Sequence, residues 1–313
     1  MIFPMKKSVY FLSAFVSMVL FSVACYFASG RIGVYAQTSE PASRVSRTVE
    51  STSAKLVLPT STSAFAAAAS RNTQLRRSLS WVFGGRSQTG WEIYVPLIVH
   101  TIAVDAEADS PEFAAALAKW QKGNGLPANG ILETDTLQAL IRFWQGQRLG
   151  RSGTALEESL ISAPITEFFD STRDPGLLQL ERRTFAAYKR MLAAAAKDLG
   201  ASVKFSKTGE LAEGEKFLRI VSAYRSPAYQ EALRRKEPNA GRGALAKFSA
   251  HSTGQALDLY VGGEPVITKD HNRLLQVQTP AYKWLVKNAN RFGFYNYFFE
   301  PWHWEYVPRA DKS

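Results

Sequence analysis

"FSAHSTGQALDLY" (residues 248–260) is the stretch on which the reading of this chain turns. Leu257, Leu259 and Val261 fall at every second position, which predicts a strand with one apolar face turned to a core. Asp258 then points the other way, where a carboxylate needs a partner: water, a lysine or a metal. His251 stands seven residues ahead of it, across small residues and a glycine.

The flanking segments mix helix and strand without a regular βαβ repeat. Upstream, "FLRIVSAYRS" (217–226) reads as a strand running into Arg225, and Ser226 caps a helix in "SPAYQEALRRKE". Earlier still, an amphipathic helix is expected from about 178 to 199, closed by Gly200. Downstream, "TPAYKWLVKNANRFGF" (279–294) reads as a helix and "PWHWEYV" (301–307) as a third strand. Residues 151–313 are therefore expected to form an α+β domain, with a small antiparallel sheet and flanking helices.

Alternation along the third strand puts Trp302, Trp304 and Tyr306 on one face and His303 and Glu305 on the other. Two histidines and an aspartate (His251, His303 and Asp258) make a three-ligand zinc set that leaves a fourth position open, the pattern of hydrolytic zinc sites. The chain's one cysteine, Cys25, lies near the N-terminus, so a metal further along has only His, Asp or Glu to hold it. Glu300 precedes His303 closely, with Pro301 restricting the turn, and is placed to act as a base beside the metal. Glu305 shares the His303 face, either orienting that ligand or sitting solvated at the strand end. His271 reads as a helix-start or surface residue.

"SAHSTGQALD" followed by "EPWH" resembles the zinc D-alanyl-D-alanine carboxypeptidases of the vancomycin-resistance (VanY) type. Their pattern is Ser-x-His-x-x-Gly-x-Ala-x-Asp and then Glu-x-Trp-His, with a "YRS" strand end upstream, here Tyr224-Arg225-Ser226. The resemblance implies zinc ligands at His251, Asp258 and His303, and a catalytic base and acid at Glu300. It also implies that Arg225 steadies the substrate carbonyl or the developing oxyanion, with Ser249 and Gln230 as further substrate contacts. The implied substrate is the terminal D-Ala-D-Ala bond of peptidoglycan stem peptides. The same site also suits an L,D-carboxypeptidase or a peptidoglycan endopeptidase, and a wall-binding protein with structural zinc is the reading without catalysis.

In "SPEFAAALAKWQKGNGLPANGILETDTLQALIRFWQ" (110–145), Ser110 caps a helix that opens with Pro111, and Phe113, Leu117 and Trp120 share a face. Asn-Gly turns break it, and Thr134 starts a second helix with Leu137, Leu140, Ile141 and Trp144 as its stripe. This hairpin resembles a peptidoglycan-binding helical module, which implies that residues 111–145 hold the wall polymer within a small all-α unit at 76–150. Ahead of it, "WEIYVPLIVHTIAV" suggests one or two strands within 79–104, with His100 a packed or edge histidine.

Residues 37–75, rich in Ser, Thr, Ala and Arg, read as a flexible spacer. Lys6 and Lys7 precede an almost wholly apolar run at 9–28, the form of an export signal. "VYA" before Gln37 suits cleavage of a 1–36 signal peptide, the run is long enough for an uncleaved anchor at 8–28, and Cys25 after "SVA" offers lipidation. The chain is expected to be exported, to the periplasm or cell envelope. Its net charge of +11 is spread without a basic stripe, so nucleic acid is not an expected partner.

Overall fold

The computed structural model describes residues 64–149, 153–236 and 249–308. The apolar run at 9–28, Cys25 and the cleavage motif lie outside the described residues, among which no helix is long and apolar enough to cross a membrane.

A four-stranded antiparallel sheet positions the site. Its strands are β5 (Ile220–Ser222), β6 (Ala256–Leu259), β7 (Phe294–Asn296) and β8 (His303–Tyr306), in the order β5-β6-β8-β7. Every residue of β6 and β8 is buried, so both faces of the central pair are covered. Tyr188, Met191, Leu192 and Ala195 of α5 (Arg182–Leu199) and Tyr282 and Leu285 of α8 (Pro280–Asn288) belong to the same hydrophobic core as Leu257, Leu259 and Trp304 of the sheet. The Thr279 hydroxyl caps α8 by accepting from the Tyr282 amide, and Ser226 does the same for Tyr229 at the start of α6 (Pro227–Lys236). His271 lies in the first turn of α7 (Asp270–Gln278) and is exposed, as read.

Two departures from the sequence reading concern this half. The helix expected from 178 starts at Arg182, because β4 (Gln179–Glu181) pairs first with β3 (Leu160–Ser162). Glu181 then caps α5, its carboxylate accepting from the Arg183 and Thr184 amides. The helix expected over 279–294 ends at Asn288; Gly293, at φ +88°, ends the helical turn that follows, and Phe294 opens strand β7.

The N-terminal half differs more from expectation. Residues 66–78, largely inside the stretch read as spacer, form helix α1, which buries Ala68, Ala69, Asn72 and Leu75. Asn72 explains its place: its Nδ2 donates to the Gly130 carbonyl and its Oδ1 accepts from the Leu132 amide, so α1 clamps the Asn-Gly turn of the helical hairpin. A short hairpin, β1 (Ser80–Phe83) and β2 (Arg86–Thr89), follows. "YVPLIVHTI" was expected as strand, yet Val95–Thr101 is helix α2 and carries His100. Its β-branched residues tolerate the helix because Pro96 opens it and Leu97, Ile98 and then Ile102 are buried together.

Helices α3 (Pro111–Gly123) and α4 (Thr134–Gly146) lie where the sequence placed them, with the Ser110 hydroxyl accepting from the Phe113 amide. Leu137, Leu140, Ile141 and Trp144 are buried as read. The hairpin and the sheet share one hydrophobic core. Phe298, between β7 and β8, packs on Phe83 with ring centroids 4.8 Å apart, on Tyr94 at 5.5 Å and on Trp144 at 6.0 Å. Arg273 of α7 donates to the Tyr94 hydroxyl and to the Phe299 carbonyl.

Candidate active site

Register brings the site together. Asp258 lies directly opposite His303 on β8 and opposite Ser222 on β5, so the three share one row and one face of the sheet. Ala256 and Glu305 form the next row on that face. His251 arrives from a single 3-10 turn, Ala250–Thr253, that closes on Gly254 at φ +70°. A side chain at 254 is excluded twice over, since its Cβ would meet the Glu181 amide nitrogen at 2.8 Å.

The histidine nitrogens are differentiated by their partners. His251 Nδ1 lies 2.6 Å from the Ala223 carbonyl, which can only accept, so Nδ1 carries the proton and Nε2 faces Asp258 Oδ1 at 3.2 Å. Burial and the nearby Arg225 guanidinium push this imidazole down to about 4, so it is neutral at ordinary pH. His303 turns Nδ1 to the same Asp258 oxygen at 2.9 Å and Nε2 to Glu305 Oε1 at 3.1 Å. Burial works against its charge, but hydrogen bonds to two carboxylates outweigh that and carry it up to about 9. Burial likewise disfavours the Asp258 carboxylate, and the two histidines outweigh it, holding the group well below its ordinary range.

The expected ligand residues therefore converge: one donor atom from each of His251, Asp258 and His303 lies within 4.8 Å of the others, all buried. The set fits zinc on chemical grounds. A neutral His251 Nε2 and an ionised Asp258 Oδ1 present lone pairs to each other, an arrangement that a cation between them satisfies. Each histidine also anchors its other ring nitrogen on an oxygen, which fixes ring and tautomer as ligating histidines require.

Glu300 lies beside this cluster at the turn before β8. The Glu300 amide donates to the Tyr297 carbonyl and the His303 amide to the Glu300 carbonyl, while Asn296 Nδ2 donates to the His303 carbonyl at 2.9 Å. Burial raises the Glu300 carboxyl to about 7, with His303 and Arg225 pulling it down and Asp258 pushing it up. Arg225 is buried, with Nη2 on Asp258 Oδ2 at 2.9 Å and Nε on the Ser222 hydroxyl at 3.1 Å. Ser249 takes a local part, its hydroxyl accepting from the His251 amide at 3.3 Å. Gln230 Oε1 is buried and has no hydrogen-bond partner among the described residues.

Glu305 settles between its two readings. It is 1% exposed, so it is no solvated strand end, and it bonds His303 as alternation allowed. The residue that sequence reasoning missed here is Arg148, whose guanidinium pairs with Glu305 from 157 positions away. No local pattern announces such a contact.

Residues 178–309 match the family described as VanY, D-alanyl-D-alanine carboxypeptidase. These residues are similar to a VanY-type domain. The match takes in Arg225, His251, Asp258, Glu300 and His303, and leaves the N-terminal helices outside it. A solved structure described as "Structure of the LdcB LD-carboxypeptidase reveals the molecular basis of peptidoglycan recognition" is 23% identical over 50% of this chain and 70% of its own, with a TM-score of 0.34. No curated protein matches this chain.

Proposed function

We propose that the chain is an exported, zinc-dependent carboxypeptidase that removes the terminal D-alanine from peptidoglycan stem peptides ending in D-Ala-D-Ala. The observation that carries this reading is the buried convergence of His251, Asp258 and His303 beside Glu300, inside a VanY-type domain. Zinc held by those three side chains would supply Lewis acidity, polarising the scissile carbonyl and acidifying water.

The chain's own groups do the rest. Glu300, with an affinity for protons near neutrality, takes the proton of the attacking water and passes it to the leaving amine as the C–N bond breaks. Arg225, fixed by Ser222 and Asp258, places its guanidinium charge beside the carbonyl oxygen as negative charge builds there. Gln230, whose Oε1 has no partner among the described residues, would accept from a peptide N–H of the substrate, and Ser249, beside His251, would be a further contact. Residues 111–145 bind the wall, holding the enzyme near its polymeric substrate.

Mass spectrometry of muropeptides incubated with the full chain, with zinc or with chelator, tests this beside Glu300→Ala. Zinc-dependent loss of one alanine from pentapeptides, reduced by about 10²-fold or more in the variant, is the expected result. Loss from tetrapeptides, or a cut crosslink, keeps the mechanism and changes the specificity to L,D or endopeptidase. Intact protein that binds zinc and yields no product sinks the enzymatic reading.

A further inference from the structure

We infer that Arg148, two residues past the end of helix α4, is a positioning residue for the metal ligand His303, acting through Glu305. The inference rests on the zinc reading above and extends the site into the N-terminal helices, beyond the VanY-type segment.

Glu305 is a carboxylate on the ligand face of β8, and its bonds divide between two halves of the chain. Oε1 accepts from His303 Nε2 and from the Arg148 guanidinium, and Oε2 accepts from the Leu149 amide at 3.0 Å. Arg148 is itself held, with Nη1 on Gln145 Oε1 and its guanidinium 4.2 Å from the centre of the Tyr297 ring. The pair is no surface contact: the side chains are 12% and 1% exposed.

A carboxylate so deeply buried needs a fixed countercharge, and the Arg148 guanidinium supplies one. Two of the three donors on Glu305 come from consecutive residues after α4, so the end of that helix sets where the carboxylate sits. The carboxylate in turn sets the His303 ring, because Nε2 on Glu305 leaves Nδ1 aimed at Asp258. Outer partners of this kind change metal affinity by about 10–100-fold when removed.

Zinc affinity of the full chain, measured by competition with a chromophoric chelator, tests this in wild type, Arg148→Ala, Arg148→Lys, Glu305→Gln and Arg148→Ala/Glu305→Gln. Visible absorption of the cobalt-substituted proteins reports ligand geometry alongside. Wild type is expected to bind one zinc, and Arg148→Ala to bind it about 10-fold or more weakly with an altered cobalt band. Arg148→Lys recovers part of the loss, because an ammonium restores the countercharge without the guanidinium's geometry. The double variant is expected to lose little beyond Glu305→Gln alone, since Arg148 acts only through that carboxylate. Wild-type affinity and an unchanged cobalt band in Arg148→Ala, or losses that simply add in the double variant, overturn the inference while leaving the zinc site standing. A wild-type chain that binds no zinc overturns both. Should Arg148→Ala fail to fold, Arg148→Lys decides: affinity equal to wild type with an unchanged cobalt band counts against the inference, and a loss that vanishes in the Glu305→Gln background supports it.

Discussion

Replacing Phe298 by alanine asks whether the N-terminal helices and the segment matched at 178–309 unfold as one body. Phe298 is 1% exposed and lies between Phe83, Tyr94 and Trp144 on one side and Tyr297 and Phe299 on its own. Truncating a buried phenylalanine costs about 3–5 kcal/mol, from lost transfer energy and the cavity left behind. The edge-to-face contact with Phe83 adds something on the order of 0.5–1.5 kcal/mol. A loss of about 4 kcal/mol would be a large share of a net stability of about 5–15 kcal/mol. With a urea slope of about 3 kcal/mol/M, the midpoint should fall by about 1.3 M. Urea titration followed by tryptophan fluorescence and by far-ultraviolet circular dichroism should give one coincident transition in both proteins, displaced as a whole in the variant. The residue contacts both halves, so a cooperative unit must move entire. Two resolved transitions in wild type, only one of them shifted by the substitution, would refute the shared core as a thermodynamic unit.

Zinc affinity should depend on pH in a way set by His303. Its ring is carried up to about 9, so at neutral pH a proton must leave Nδ1 before a metal can take its place, whereas His251, at about 4, is already neutral. Affinity is thus weakened by acid and should rise about tenfold per pH unit until about pH 9 before levelling; a plateau near 6.5, as for an ordinary histidine, contradicts the assignment. Gly254→Ala places a Cβ 2.8 Å from the Glu181 amide at a backbone angle of +70°, and should cost about 2 kcal/mol or more. Because the same turn presents His251, thermal stability and zinc affinity should fall together, and a variant that melts and binds like wild type would show the turn to be slack.

The parts of this protein that were legible in the sequence are those encoded within one element. Alternation along β8 separated His303 and Glu305 from Trp304 and Tyr306, and that separation holds because the strand pairs on both edges and cannot slip. Ser110, Ser226 and the Thr134 helix start were readable for the same reason, since a cap is a contact over three residues. Helices α1 and α2 were not. An alanine- and arginine-rich segment such as 66–78 has no strong apolar stripe, and what fixes it is Asn72 bridging to Gly130 and Leu132, some sixty positions on. Likewise "YVPLIVHTI" carries strand-favouring residues, and its helical form depends on a core built from elsewhere.

The same division explains how the proposed chemistry is tuned. The ligands come from local motifs, but the proton affinity of Glu300 is a property of the assembled site. Burial alone raises a carboxyl, and an exposed Glu300 would be ionised throughout the neutral range, a willing base and a poor acid. Here burial carries it to about 7 against the opposing pull of His303, Arg225 and Arg148. A group poised there spends comparable time in either state at neutral pH, which suits one carboxyl asked first to accept a proton and then to return it. Admitting water to this carboxyl would return Glu300 toward its ordinary acidity.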